Sequence, residues 1–178
     1  MGCKTMITIF VEENNPLTPN FYNNLINSLQ FHRLTCTCGH SACLSIHGYY
    51  TRSLKTPEGK RTFRICRVIC SFCHHTHALL PSSMVPYSQV STEEHVAIIS
   101  SHEDREGWEN LMKHNPYIDE SNCRHIIRSF LQHWKQRLLS EKITLSDWAV
   151  LIRDCFSAFS RQFMQIHCTP NILFMNTT

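Results

Sequence analysis

Two short stretches of the chain carry residue types suited to metal chemistry: "CTCGHSAC" at 36–43 and "CSFCHHTH" at 70–77. Zinc takes four soft or borderline donors in a tetrahedron, and a tight turn bearing two cysteines offers two thiolates at once. Cys70 and Cys73 have the usual C-x2-C spacing. Cys36 and Cys38 are one residue closer, but Gly39 follows where a backbone N–H has to approach sulfur. Two such knuckles joined by a β-hairpin make a zinc ribbon, with Cys36, Cys38, Cys70 and Cys73 as the expected ligands of a structural Zn2+. The set has alternates. Cys43 could replace Cys36 or Cys38, and Cys66 or one of His40, His74, His75 and His77 could complete the shell. The plainer reading makes Cys43 and Cys66 buried strand thiols and the three later histidines packed or solvated, because four thiolates already close the site. A catalytic zinc keeps a coordination position open beside a carboxylate. Glu58 is the only acid between the knuckles, so a structural metal is expected.

The elements that would position these turns are legible on either side. Between the knuckles, "LSIHGYYTRSL" and "KRTFRICRVI" have the composition of strands. "TPEG" at 56–59 places Pro second and Gly fourth, as in a type I turn. This hairpin carries Arg52, Lys55, Lys60, Arg61, Arg64 and Arg67 among Tyr49, Tyr50 and Phe63. Cations interleaved with aromatics suit phosphate contact and base stacking, although a solvated sheet face has the same look. Ahead of the first knuckle, "TMITIFV" reads as a buried strand. A short helix then starts with Thr18 as N-cap and Pro19 at its first position, burying Phe21, Leu25 and Leu29.

From Val85 the pattern turns helical. Ser91 and Glu94 have capping-box spacing ahead of Val96, Ile98 and Ile99. "REGWENLMKH" predicts a short helix with Trp108, Leu111 and Met112 inward, ended by Pro116. Asp119 then caps a longer helix running to about Leu139, with Ile118 and Cys123 placed as a hydrophobic staple. Its core stripe is Cys123, Ile127, Phe130, Leu131, Trp134 and Leu138; Ser121, Arg124, His125, Arg128, Gln132 and Lys135 face the other way. A last amphipathic helix, capped by Thr144 or Ser146, buries Leu145, Trp148, Ile152, Cys155, Phe159 and Phe163. The tail "CTPNILFMNTT" shows no pattern. The expected class is α+β: an N-terminal strand and helix (1–33), a zinc-ribbon hairpin (34–84), an all-helical helix-turn-helix-like part (85–142), and a C-terminal helix and tail (143–178).

Composition limits the functions available. The chain has 178 residues and ten cysteines, enough for one ordinary domain or two small ones. Its start lacks the charged, apolar and small-residue layout of a signal peptide, "MGCK" lacks the hydroxyl residue of an acylation motif, and no run is long enough to span a membrane. A cytoplasmic location is expected, where clustered thiols stay reduced and bind metal. Residues 33–87 hold seven Lys/Arg against Glu58; 88–120 hold eight Asp/Glu against Arg105 and Lys113; 121–161 hold seven basic residues against three acidic. Two basic surfaces for a polyanion are implied.

Three helices joined by short breaks, the last longest and basic, outline a helix-turn-helix whose third helix reaches base edges and phosphates. "CTCGHSACLSIHGYYTR", "ICRVICSFCHHTHALLPSSMVPYSQVS" and "NPYIDESNCRHIIRSFLQHWKQRLLSE" together resemble a bacterial family of zinc-ribbon proteins found with insertion sequences and labelled transposase-related. The resemblance covers residues 34 to about 142. It implies a cysteine-ligated ribbon followed by a helix-turn-helix, with double-stranded DNA as the ligand. Strand-transfer catalysis needs three acidic metal ligands on a fold of alternating strands and helices, whereas the chain after Pro86 reads helical; no nucleophile-plus-base motif or Gly-rich phosphate loop is present. The expectation is a non-enzymatic, sequence-reading DNA-binding accessory or regulator of a mobile element. The alternative is an adaptor whose ribbon docks a transposase or recombinase.

Overall fold

The apolar run near the start forms strand β1 (Thr5–Phe10), and its residues 6–10 are buried whichever way the pleat turns them. A strand interior to a sheet has this pattern. The computed structural model describes residues 5–166 and 172–176. Helix α1 (Pro19–Ser28) starts at Thr18, whose hydroxyl accepts from the Phe21 N–H at 3.1 Å. Its buried stripe is Tyr22, Leu25 and Ile26; Leu25 is as expected, while Tyr22 and Ile26 take the places expected of Phe21 and Leu29. The cause is the Tyr22 hydroxyl, which donates to the Leu79 carbonyl at 2.9 Å and accepts from the Cys66 N–H at 2.9 Å. That burial holds the phenol well above its ordinary pKa.

The hairpin strands are β2 (Leu44–Thr56) and β3 (Gly59–Cys70), followed by β4 (Thr76–Pro81). A two-residue turn joins β2 to β3, so they run antiparallel, and Gly59 takes the positive φ of +113° that ends this turn. The sheet order is β2-β3-β4-β1-β5, with β5 at Ile172–Asn176. β3 and β4 are antiparallel, whereas β1 pairs in parallel with β4 and with β5, from Met6 opposite Ile172 to Phe10 opposite Asn176. The tail read as patternless therefore contains an edge strand. A parallel edge is specified by its long-range partner, and five residues of local sequence show no periodicity from which to predict it.

The chain divides into two compact units. One gathers the residues up to Arg52, Thr62–Ser82 and β5; the other gathers Ser53–Arg61 and Ser83–Ile166. The strand and helix set apart at 1–33 thus share a unit with both cysteine turns. The helix and segment that follow residue 143 share a unit with the helices before them.

In the second unit, α2 (Thr92–Glu103) begins with the expected capping box, Ser91 Oγ accepting from the Glu94 N–H and the Glu94 carboxylate accepting from the Ser91 N–H. α3 (Trp108–His114) has no fully buried residue, so Trp108, Leu111 and Met112 are only half-buried. α4 (Glu120–His133) is capped by Asp119, and Ile118 and Cys123 are both buried. The expected single helix to Leu139 breaks at Trp134, whose φ of −121° separates α4 from α5 (Lys135–Ser140). The break seats the indole edge-on against Phe159 and Phe163, with ring centroids 5.9 and 5.4 Å away. Leu131, expected in the core, is 43 % exposed; Ile126 is buried instead. α6 (Trp148–Phe159) is capped by Asp147 rather than Thr144 or Ser146, and buries Ala149, Leu151, Ile152 and Cys155. Phe163 is also buried but lies beyond the helix, while Leu145, Trp148 and Phe159 are only partly covered.

Candidate metal centre and basic surface

Each cysteine turn is built by its own backbone. In the first, the Cys36 N–H donates to the His40 carbonyl and the Gly39 N–H to the Cys36 carbonyl, both at 2.8 Å. Gly39 has a φ of +91°, which a side chain would resist. A bridge between Thr35 and Ser41 closes the loop. In the second, the Cys70 N–H donates to the His75 carbonyl and the His74 N–H to the Cys70 carbonyl, both at 3.0 Å. The two turns are joined by the Ser71 N–H donating to the Cys43 carbonyl at 2.9 Å.

The result is convergence of four sulfurs. Cys36, Cys38, Cys70 and Cys73 lie within 4.8 Å of one another, with Cys36 to Cys73 at 3.6 Å and Cys38 to Cys70 at 3.7 Å. These separations are far beyond the roughly 2.05 Å of a disulfide. They match the edges of a thiolate cage around one ion: metal–sulfur bonds of about 2.3 Å give a tetrahedral edge of about 3.8 Å. Burial pushes the Cys36 thiol up to about 12 and raises Cys43 and Cys73. Burial acts the same way on Cys70, but the N–H groups of Cys73 and Phe72, together with hydrogen bonds from the Cys43 and Cys73 thiols, outweigh it and bring that thiol down to about 6. Four converging thiols of this kind can hold a metal ion, whose charge would replace their protons.

The alternates are not among the four mutually close sulfurs, though Cys43, His40 and His77 each touch one of them. The Cys43 thiol is buried and donates to the His40 carbonyl at 3.0 Å, and Cys66 is buried on β3. His40 stacks on Phe72 with centroids 4.1 Å apart and places Nδ1 3.4 Å from the Cys38 sulfur. His74 and His75 are exposed. His77 is fully buried, with Nε2 3.3 Å from the Cys36 sulfur.

The basic residues have different neighbours. On the hairpin, Arg61 pairs with Glu58 at 3.1 Å, Arg64 lies over the Tyr49 ring at 4.1 Å, and Arg67 donates to Thr76 Oγ1 at 3.0 Å. Lys60 is exposed and Arg52 half-buried. Lys55 holds the start of α4, donating to Asp119 Oδ2 at 2.7 Å and to Asn122 Oδ1 at 2.6 Å. On α4, Ser121, Arg124, His125, Arg128 and Gln132 are all exposed. Arg124 pairs with Glu120 at 2.6 Å, while His125 and Arg128 pair with no acid among the described residues. Lys135 belongs to α5, past the break, and is held by Glu103 at 2.6 Å. Beside the exposed face of α4 runs an open, apolar-floored groove lined by His102, Trp108, Ile127 and Leu131 with Arg124, Arg128 and Gln132. Sequence reasoning missed it by assigning Trp108 and Leu131 to the core.

Residues 28–114 match a family described as a domain of unknown function (DUF6431), a span that contains both cysteine turns, the hairpin, α2 and α3 and stops before α4. No curated protein matches the chain, and no solved structure does. Among the described residues no helix is long and apolar enough to cross a membrane.

Proposed function

We propose that the chain is a zinc-stabilised, non-enzymatic DNA-binding protein that reads duplex sequence with α4, and that it serves a bacterial mobile element as an accessory or regulatory factor. Zinc is the metal of choice because four thiolates in a closed tetrahedron suit a structural zinc and leave no position for substrate. The observation that carries the DNA reading is the exposed face of α4. Ser121, Arg124, His125 and Arg128 project together from the first three turns, with Gln132 on the same face one turn further on, opposite a buried stripe that fixes the helix. Arg124 and its exposed Glu120 partner form a pair worth only about 0.3–0.5 kcal/mol, which a phosphate or a guanine edge can displace. The test is selection of bound sequences from a random duplex pool. Wild type should enrich a motif; Arg124→Ala or Arg128→Ala should lose about 1–3 kcal/mol of discrimination at one base while keeping fold and non-specific binding. A wild-type pool without a motif, or the same motif from both variants, overturns the reading.

The groove beside α4 favours a second reading, an adaptor that docks a transposase, recombinase or other protein over Trp108 and Leu131. DNA binding through phosphates weakens steeply with salt as counterions are released. An apolar dock changes little over the same range, so a salt titration separates the two.

A further inference from the structure

The sulfur cage has a fifth neighbour. His77 lies in the interior of the sheet, opposite Val68 of β3 and Thr5 of β1, and is fully buried. Its Nε2 is 3.3 Å from the Cys36 sulfur, closer than the Cys73 sulfur at 3.6 Å. Four thiolates on a dication leave a net charge of about −2 in a partly buried site, and N–H groups pointed at the sulfurs spread that charge. Cys70 receives two such donors from its own turn, the N–H groups of Phe72 at 3.4 Å and Cys73 at 3.5 Å. The N–H of Cys36 is committed to the His40 carbonyl. His77 reaches the same sulfur from β4, a different part of the chain.

We infer, building on the metal reading above, that His77 is not a ligand but the outer donor to the Cys36 thiolate, and that its Nε2–H bond slows release of the metal. A metal-bound thiolate has no proton to give, so the proton between Cys36 and His77 must sit on Nε2. This fixes the tautomer. The bond also ties the first cysteine turn to the sheet interior, so opening the cage by moving Cys36 has to break it. Without this donor, release should accelerate about 10- to 100-fold, the usual effect of losing an outer partner on metal affinity.

The experiment uses the full chain loaded with zinc or cobalt(II). The first readout is the nitrogen-15 spectrum of wild type with zinc: His77 should show a protonated Nε2 and an unprotonated Nδ1. The opposite tautomer overturns the inference. The second is release to a chromogenic chelator from wild type, His77→Gln and His77→Leu. The Gln amide nitrogen can occupy the place of Nε2, so His77→Gln should release near the wild-type rate and His77→Leu much faster. Equal acceleration in both variants, or none in either, overturns the donor role. If His77→Leu does not fold, the tautomer still decides, because the donor role requires the proton on Nε2. Cobalt spectra should show four sulfur ligands in wild type and His77→Gln alike; three sulfurs and one nitrogen in wild type would make His77 a ligand and overturn the inference while keeping the metal. Wild type that takes up no metal sinks the metal reading and this inference together.

Discussion

The sulfur cage and the exposed face of α4 are both polar clusters, but one converges and the other diverges. In the cage, four side chains from two turns more than thirty residues apart meet within 4.8 Å, and each turn's backbone is already satisfied locally. One backbone hydrogen bond, from the Ser71 N–H to the Cys43 carbonyl, ties the two turns together, and the four sulfurs beside it are placed as a bound cation would need them. On α4 the side chains fan outward, and those with partners find them nearby, Arg124 in Glu120 one turn earlier and, on α5, Lys135 in Glu103. Convergence across the chain speaks for a ligand by geometry alone. A diverging basic face reports only that a polyanion would be tolerated, and function there has to be measured.

The largest effect should come from breaking the convergence. Cys70→Ser, or a strong chelator, should remove the metal and unfold the two cysteine turns, because metal binding on the order of 10 kcal/mol is folding energy in such sites. Cys155→Ser, buried in α6 of the second unit and not one of the four converging cysteines, should keep the metal. Metal content and near-ultraviolet circular dichroism report both. In the second unit, Trp134→Ala empties the site between Phe159 and Phe163 and should cost about 3–5 kcal/mol in denaturant unfolding, while leaving the metal bound.

A smaller change tests what steadies α4. Asp119→Ala should cost about 0.5–2 kcal/mol as a lost N-cap. The Lys55 ammonium first, and the Asn122 N–H next, hold the Asp119 carboxyl below its ordinary value. A carboxylate lowered in this way adds stability above its unfolded pKa of about 3.9 and loses it as pH falls through the lower folded value. The contribution should therefore be flat from neutral to about pH 4 and fade below that; Lys55→Ala should move the Asp119 titration, followed by carbon-13 resonances, back up. The least effect on fold is expected from replacing Arg61 and Arg64 together by Ala, within about 0.5 kcal/mol. If these two clamp phosphates, the same change should lower the salt slope of duplex binding by up to about one unit per lost contact. An unchanged slope leaves them as a solvated face.

What the sequence made legible follows the same division. The cysteine turns could be placed because the spacing of Cys70 and Cys73, and Gly39 after Cys38, are local covalent requirements. The caps at Thr18, Ser91 and Asp119 are local as well, and each forms as expected. The misses are tertiary. Tyr22 displaced Phe21 from the core because its hydroxyl is wanted by Leu79 and Cys66, more than forty residues away. Trp134 ended α4 because two phenylalanines near the end of the second unit hold its ring. β5 exists because β1 offers it an edge. His77 has no spacing signal of its own; the register of β4 against β1 and β3 puts it beside Cys36.

The central claim is that four cysteines from two turns hold one structural zinc. Native mass spectrometry of the reduced, folded chain, beside elemental analysis, tests it most directly. One zinc per chain is predicted, retained in Cys155→Ser and lost in Cys70→Ser and Cys73→Ser. A folded, reduced chain that carries no metal, or one whose zinc survives the loss of Cys70, would contradict it.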